Sequence, residues 1–315
     1  MIFQKKIDFW LIKFPIIFPT IYLSILFFFP EYENFLIFFT ILLLAEPHFG
    51  ATWTIFFNKI NFDHYNSNKN KFYYGTILVL SFSLVGFFLF KNLFFLIFYA
   101  FNIFHVTKQS TGICKLYNKN HDEVNFDLKV IYFFNLLFFC IGLFRFYIPI
   151  LSHNHILILN SLVLTSLALS TLYQYIKFRS LENALTTLTG AIIFFPICFV
   201  ENPVHAILAG VTMHYSQYIL ITAKVYFGRK NSLNLFIPSK FIQLLKTKYF
   251  IVIFLYGILM ALLSAFGKLN NDILKNLIII PILFQMLHFY LDSFLWKFSE
   301  KHNREATLSY LNQKI

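Results

Sequence analysis

The chain has 315 residues, of which 58% are hydrophobic and only 13% charged, and its mean hydropathy is +0.66. This composition lies outside the range of soluble globular domains and predicts a polytopic membrane protein. The net charge of +12 does not indicate a nucleic-acid partner, because the basic residues lie singly between apolar segments. The three cysteines are scattered and lack the spacing of a zinc site or a disulfide framework.

The apolar segments, taken in chain order, predict an all-α fold with about ten transmembrane helices. Each window is about 18 to 23 residues long, the length that about 30 Å of hydrocarbon requires. Neither an internal repeat nor a Gly/Ser-rich linker is present, so we expect one integral-membrane domain over residues 1–315. The predicted spans are 8–29, 35–57, 73–90, 92–112, 130–151, 156–176, 184–201, 203–222, 249–266 and 274–296.

The basic residues predict the orientation of these spans. With the N-terminus in the cytoplasm, 22 of the 26 lysines and arginines fall on the cytoplasmic side. Only Lys91, Arg145, Lys268 and Lys275 remain outside. This positive-inside bias indicates a multi-pass protein of a bacterial-type inner (plasma) membrane with both termini in the cytoplasm.

Four of the predicted spans each carry a histidine at a similar depth: His48, His105, His214 and His288. The four spans run in the same direction, and each histidine lies 11 to 14 residues from the outer end of its span. That spacing corresponds to roughly 16 to 21 Å along a helix. Imidazole is a common ligand of iron, copper and zinc, so we expect the four to bind one metal ion. The alternative is that each forms a separate hydrogen bond between helices.

Polar and aromatic residues near these histidines extend the candidate site. We expect four polar side chains, two to four residues from a histidine, to fix the imidazole tautomers by hydrogen bonds: Glu46, Gln109, Gln217 and Asp292. Five aromatic residues are expected to line a substrate cavity, with ordinary packing as the alternative: Trp53, Tyr215, Tyr218, Phe289 and Tyr290. His64 and His302 fall outside the predicted spans and are expected to be solvated surface residues. His205 lies near the outer end of its span and is left out of the site.

The histidine pattern resembles the Brp/Blh family of membrane β-carotene dioxygenases, whose histidines lie singly on several membrane helices. The motif Pro47-His48-Phe49-Gly50 looks like the family's early Pro-His motif, and His105 follows at a similar remove. His214 lies far downstream, and His288 is followed by an aspartate, as is the family's last histidine. The chain departs from the family's motifs where Phe49 follows His48, where Val106 and Thr107 follow His105, and where Tyr218 replaces a second histidine.

This resemblance implies a non-haem Fe(II) ion that activates dioxygen and cleaves β-carotene into two molecules of retinal. We therefore expect an iron-dependent oxygenase that acts on a hydrophobic carotenoid, another isoprenoid or a lipid. Two other functions fit the same residues. A multi-pass transporter would use the buried His, Asp and Glu side chains as a proton relay, and a haem-binding electron carrier would use two of the histidines as axial ligands.

Overall fold

The computed structural model describes residues 2–229, 249–267 and 274–311. Within these residues the regular structure is helical and no strand occurs, which confirms the all-α prediction. The helices are α1 (Lys5–Lys13), α2 (Ile17–Phe28), α3 (Pro30–Phe56), α4 (Lys59–Ser67), α5 (Asn70–Leu89), α6 (Lys91–Tyr117), α7 (His121–Tyr147), α8 (His153–Phe178), α9 (Leu181–Ile192), α10 (Pro203–Gly228), α11 (Tyr249–Phe266), α12 (Ile279–Leu295) and α13, which joins Lys301–Asn303, Arg304–Leu308 and Ser309–Leu311.

Several of these helices are compatible with a multi-pass membrane protein. Six in the described part of the chain are long and apolar enough to cross a bilayer: α3, α5, α7, α8, α11 and α12. Helices α1 and α2 form a seventh candidate, bent by 49° at the break between them. Helices α6 and α10 are longer than their predicted spans but carry many polar residues, and the predicted span 184–201 is divided because α9 ends at Ile192. Ten spans therefore remain a prediction.

The contacts of the chain divide it into two compact units. The first unit comprises mainly Phe3–Ile37 and Tyr99–Gln217. Within it, the Lys13 ammonium lies 2.8 Å from the Glu182 carboxylate, and the Gln217 amide donates to the Ile12 carbonyl at 2.6 Å. These two contacts fix α1 against α9 and α10. The prediction of a single membrane domain stays a prediction.

The second unit comprises mainly Phe38–Phe98 and the part of the chain from Tyr218 onward. A buried arginine attaches its C-terminal helix: the Arg229 guanidinium donates to the carbonyl of Ala306 at 2.7 Å, to the Ile55 carbonyl at 3.3 Å and to the Thr307 hydroxyl at 3.0 Å. Burial lowers the pKa of Arg229 to about 10, so the group is still charged at neutral pH. Its fixed, planar donors suit this role better than a lysine would.

A local irregularity in α3 precedes the residues of greatest interest. Residues Ile41–Ala45 form a π turn, and a regular helix begins again at Glu46. Pro47 cannot donate a backbone hydrogen bond, and its ring would clash with the preceding turn of a regular helix. The wider turn accommodates the proline without ending the helix. It also changes the direction in which every later side chain of α3 points.

The surface prediction for His64 and His302 is wrong, because the two rings stack within the second unit. Their centroids are 4.1 Å apart and the ring planes differ by 2°. The His302 Nε2 atom lies 2.9 Å from the Asn61 side-chain oxygen, to which it donates, and His64 Nε2 lies 3.9 Å from Glu300. Burial is the largest effect on each ring and lowers both pKa values, more than the nearby Glu300 raises them. The stack therefore joins α4 to α13 most firmly when both rings are neutral.

Because the pKa values of His64 and His302 are lowered in the folded chain, we expect the free energy of unfolding to fall in acid. The folded pKa values lie below the ordinary value of about 6.5, so the unfolded chain binds protons first as the pH falls. Each histidine then contributes at most about 1.4 kcal/mol of lost stability per pH unit below that value. We expect the double variant His64→Gln, His302→Gln to show a smaller fall in unfolding temperature than the wild type between about pH 7.5 and about pH 5.

Thermal unfolding of detergent-purified protein at several pH values checks this prediction. The control is His121→Gln, which changes an exposed histidine on α7. Because other buried histidines also titrate, the comparison is between variants at the same pH. Equal pH dependence in the double variant and the control would contradict the assignment.

Candidate metal centre

Two of the predicted histidines lie side by side in the second unit. The His48 ring on α3 and the His288 ring on α12 have centroids 4.5 Å apart and meet edge to face, at 72°. Both side chains are buried, with 1% and 0% of their surface exposed. The Phe49 ring packs against both, at 4.6 Å from His48 and 4.9 Å from His288. Apolar rings therefore shield this imidazole pair from water.

A threonine connects His288 to an aspartate and a tyrosine. The Thr52 hydroxyl lies 2.6 Å from His288 Nδ1 and 2.6 Å from the Tyr218 hydroxyl. It also lies 3.3 Å from Asp292 Oδ1, to which the Tyr218 hydroxyl donates at 2.8 Å. Asp292 is one turn after His288 on α12, so its second oxygen, Oδ2, lies 3.8 Å from His288 Nε2.

The hydrogen positions in the group formed by Thr52, Tyr218, His288 and Asp292 follow once Asp292 is ionised. A carboxylate only accepts, so Tyr218 must donate to Asp292, and Thr52 must use its single hydrogen toward Tyr218 or Asp292. Thr52 then has no hydrogen left for His288, whose Nδ1 must carry the hydrogen and donate. The lone pair of His288 is then on Nε2.

The other two predicted histidines form a second close pair, in the first unit. The rings of His105 on α6 and His214 on α10 have centroids 5.5 Å apart and are nearly perpendicular, at 86°. Their exposed fractions are 6% and 1%. Neutral imidazole is the form that binds a metal.

The described residues thus include buried histidine and aspartate side chains that could hold a metal ion: His48, His105, His214, His288 and Asp292. Their chemistry fits such an ion. Imidazole nitrogens suit iron, copper and zinc, and two histidines with one carboxylate are a frequent ligand set of non-haem iron. Asp292 is therefore placed to act as a ligand itself or as the group that orients His288.

The predicted hydrogen-bond partners of the histidines have different surroundings. Asp292 lies beside His288, as its spacing suggested. Glu46 instead accepts a hydrogen bond from Gln285 at 3.0 Å, and Gln217 donates to the backbone carbonyl of Ile12. Gln109 is half-buried on α6.

The five aromatic residues also separate into groups. Tyr218 belongs to the Asp292 hydrogen-bond group, and the Phe289 ring contacts those of Phe49 and His288. Tyr215 is buried next to His214. The Tyr290 hydroxyl donates to the carbonyl of Lys71, and the Trp53 indole packs against Phe284. Tyr215 belongs to the first unit and the other four aromatic residues to the second, so a cavity lined by all five stays a prediction.

Two residues were not predicted from the sequence: Thr52, which contacts His288, and Gln285, which donates to Glu46. A usable signal existed for each: Thr52 is four residues after His48 and shares its helix face, and Gln285 is three residues before His288. A threonine in an apolar helix commonly bonds to its own backbone instead, as Thr54 does to the Ala51 carbonyl at 2.7 Å. Spacing alone cannot separate these two roles.

Comparison with known proteins identifies no relative of the chain. No family model, no curated protein and no solved structure matches the chain. Any function must therefore be argued from the residues and their geometry.

We expect the Thr52 hydroxyl to stabilise the hydrogen-bonded group that it forms with His288, Tyr218 and Asp292. Thr52→Val preserves the shape of the side chain but leaves His288 Nδ1 and Tyr218 without that partner. We expect a loss of about 1 to 3 kcal/mol of stability, because the orphaned groups remain buried. Thr52→Ser keeps a hydroxyl and is expected to lose less.

Thermal or denaturant unfolding of the metal-free protein measures this loss. Thr54→Val is the matched control, since it removes a hydroxyl from the same helix that bonds only to the backbone in the same turn. Equal destabilisation by Thr52→Val and Thr54→Val would contradict the role given to Thr52.

Proposed function

We propose that the chain is an iron(II)-dependent membrane oxygenase that acts on a hydrophobic isoprenoid or lipid. In this proposal His48, His105, His214 and His288 are ligands of one ion. The observation that carries it is the occurrence of four buried imidazoles as two close pairs, one of them beside an ordered carboxylate. Cleavage of β-carotene to retinal is the specific reaction that the family resemblance implies.

The residues around His288 support a metal-binding role more than a packing role. The Thr52 hydroxyl lies 2.6 Å from His288 Nδ1 and fixes the orientation of the ring. Nε2 of the same ring is buried and lies 3.8 Å from Asp292 Oδ2, so a carboxylate stands beside the second ring nitrogen. An Fe(II) ion bound by imidazoles with open positions supplies the capacity to bind and activate dioxygen.

The protein's own side chains would control access and orientation. Thr52, Tyr218 and Asp292 hold the His288 ring in one orientation, and a fixed ligand geometry depends on such contacts. Phe49 and Phe289 pack beside His48 and His288 and exclude water from them. An apolar substrate can approach between membrane helices without crossing water.

The sequence supports a membrane location for the proposed enzyme. The helices are apolar enough for a multi-pass protein, and the distribution of basic residues supports an inner (plasma) membrane with both termini in the cytoplasm. A membrane is also where a carotenoid or another isoprenoid dissolves. Substrate, dioxygen and protein would then meet in the same phase.

An oxygen-uptake assay tests the proposed reaction. We expect iron(II)-loaded protein in detergent to consume dioxygen when β-carotene is added, with retinal as the product. His288→Ala is expected to reduce the rate to the background of protein without added iron, because it removes one ligand. Dioxygen uptake and retinal are measured together, by an electrode and by chromatography.

The matched control is His205→Ala, which also removes a buried histidine. His205 contacts the Tyr22 hydroxyl at 2.7 Å and belongs to neither imidazole pair. A panel of other isoprenoids and lipids extends the assay to substrates other than β-carotene. Absence of substrate-dependent uptake for the whole panel, or equal uptake by His288→Ala, would contradict the oxygenase proposal.

A further inference from the structure

An open cavity lies where α4 ends and α5 begins, within the second unit. It has a volume of about 360 Å³ and is lined by residues 66–71, Asn-Ser-Asn-Lys-Asn-Lys. None of these six residues is acidic, and their polar groups are ammonium groups, amides and one hydroxyl. The cavity therefore combines hydrogen-bond donors with positive charge, which favours an anionic ligand.

Local hydrogen bonds hold this turn in place. The Tyr73 hydroxyl donates to the side-chain oxygen of Asn66 at 3.0 Å, and the Asn68 amide donates to the His64 carbonyl at 2.9 Å. Because the Asn66 oxygen accepts from Tyr73, the amide nitrogen is its other polar group, and that nitrogen can only donate. An ordered turn of this kind needs little rearrangement to bind an acceptor.

The two lysines of the cavity have different surroundings. Lys71 Nζ lies 3.6 Å from Glu300 Oε1, and the same oxygen lies 3.2 Å from Lys297 Nζ. One carboxylate therefore faces two ammonium groups and compensates only one of their charges. Lys69 is exposed and forms no ion pair within the described part of the chain. The end of α5 consequently carries an excess of positive charge.

The cavity lies at one end of a lipid-facing helix. Helix α5, Asn70–Leu89, is long and apolar enough to cross a bilayer, and most of its residues are exposed or half-buried. Its first residues are therefore expected at the level of the lipid headgroups. The distribution of basic residues predicts that this end is cytoplasmic, and the cytoplasmic leaflet has a negative surface potential that attracts lysines.

An exposed apolar stripe leads away from the cavity along α5. Its members are three or four residues apart, so a helix places them on one face: Tyr74, Leu78, Phe82, Val85 and Leu89. Tyr74 and Val85 are separated by roughly 16 Å of helix. Half of the hydrocarbon thickness of a bilayer is about 15 Å, so this part of the stripe matches the acyl chains of one leaflet.

We propose that residues 66–71 and the exposed stripe of α5 form a binding site for an anionic phospholipid. The phosphodiester of the lipid pairs with Lys69 and Lys71, and its acyl chains lie along the stripe. A zwitterionic lipid has the same phosphodiester but also an ammonium group, which the two lysines repel. The site belongs to the second unit alone and does not depend on the metal centre or on the proposed reaction.

Equilibrium binding to the detergent-purified, metal-free protein tests the site. The probe is tritiated dioctanoylphosphatidylglycerol, and the competitors are dioctanoylphosphatidylcholine, glycerophosphoglycerol and inorganic phosphate. We expect each competitor to displace the probe about tenfold less effectively than the unlabelled probe lipid does, because each lacks either the net negative charge or the acyl chains. Equal displacement by phosphatidylcholine would overturn the charge-selective site. Equal displacement by glycerophosphoglycerol or inorganic phosphate would overturn its assignment to a lipid.

Lys69→Gln removes one ammonium group from the cavity at an exposed position. We expect it to weaken binding of the probe about fivefold, the effect of one lysine near an anionic membrane surface, and we expect Lys69→Arg to retain binding. The matched control is Lys301→Gln on α13, which makes the same change of charge at an exposed lysine of the same unit and should leave binding unchanged.

Equal weakening by Lys69→Gln and Lys301→Gln would mean that only net charge matters and would overturn the site, as would unchanged affinity in Lys69→Gln. The unfolding temperature of each variant shows whether it is folded. Because no iron is present, the measured affinities are independent of the oxygenase proposal, and failure of either proposal leaves the other standing.

Discussion

The hydrogen-bond path from His288 through Thr52 and Tyr218 to Asp292 is the interaction on which the candidate centre depends. In an apolar helix bundle, water is not available to satisfy a misplaced donor, so each hydrogen must have one destination. The carboxylate accepts and cannot donate, and this single fact orders the hydroxyl groups and the imidazole that follow it. An ionised aspartate at this position thereby determines which nitrogen of His288 carries the hydrogen.

Helix α3 presents two different chemistries on opposite sides. His48 and Thr52 belong to the imidazole and aspartate group, whereas Gly50 faces Tyr256 on α11, and Glu46 and Trp53 contact Gln285 and Phe284. The two sides are separated because a helix has 3.6 residues per turn, so the side chains of Glu46 and His48 point about 200° apart around the helix axis. The π turn at Ile41–Ala45 allows Pro47 within this helix and sets the direction of both faces. A short segment of α3 therefore carries two separate groups of buried polar side chains.

The sequence predicted the features that depend on composition and single residues. Apolar length indicated helices, and the cost of polar groups in hydrocarbon correctly singled out His48, His105, His214 and His288 as buried residues. Partner choice was harder to predict. Glu46 is two residues from His48, yet it pairs with Gln285, because the helix turns it to the other side. The stacking of His64 on His302 joins residues more than two hundred positions apart, for which local pattern carries no signal.

Metal content measured by elemental analysis tests the central claim most directly, because the proposal assigns all four histidines to one ion. Protein loaded with iron under reducing conditions should hold close to one iron per chain. The variants His48→Ala and His105→Ala each alter one imidazole pair and should not bind the iron. His205→Ala should retain the iron. Iron retained after either of the first two substitutions, or absent from the loaded wild-type protein, would contradict the account.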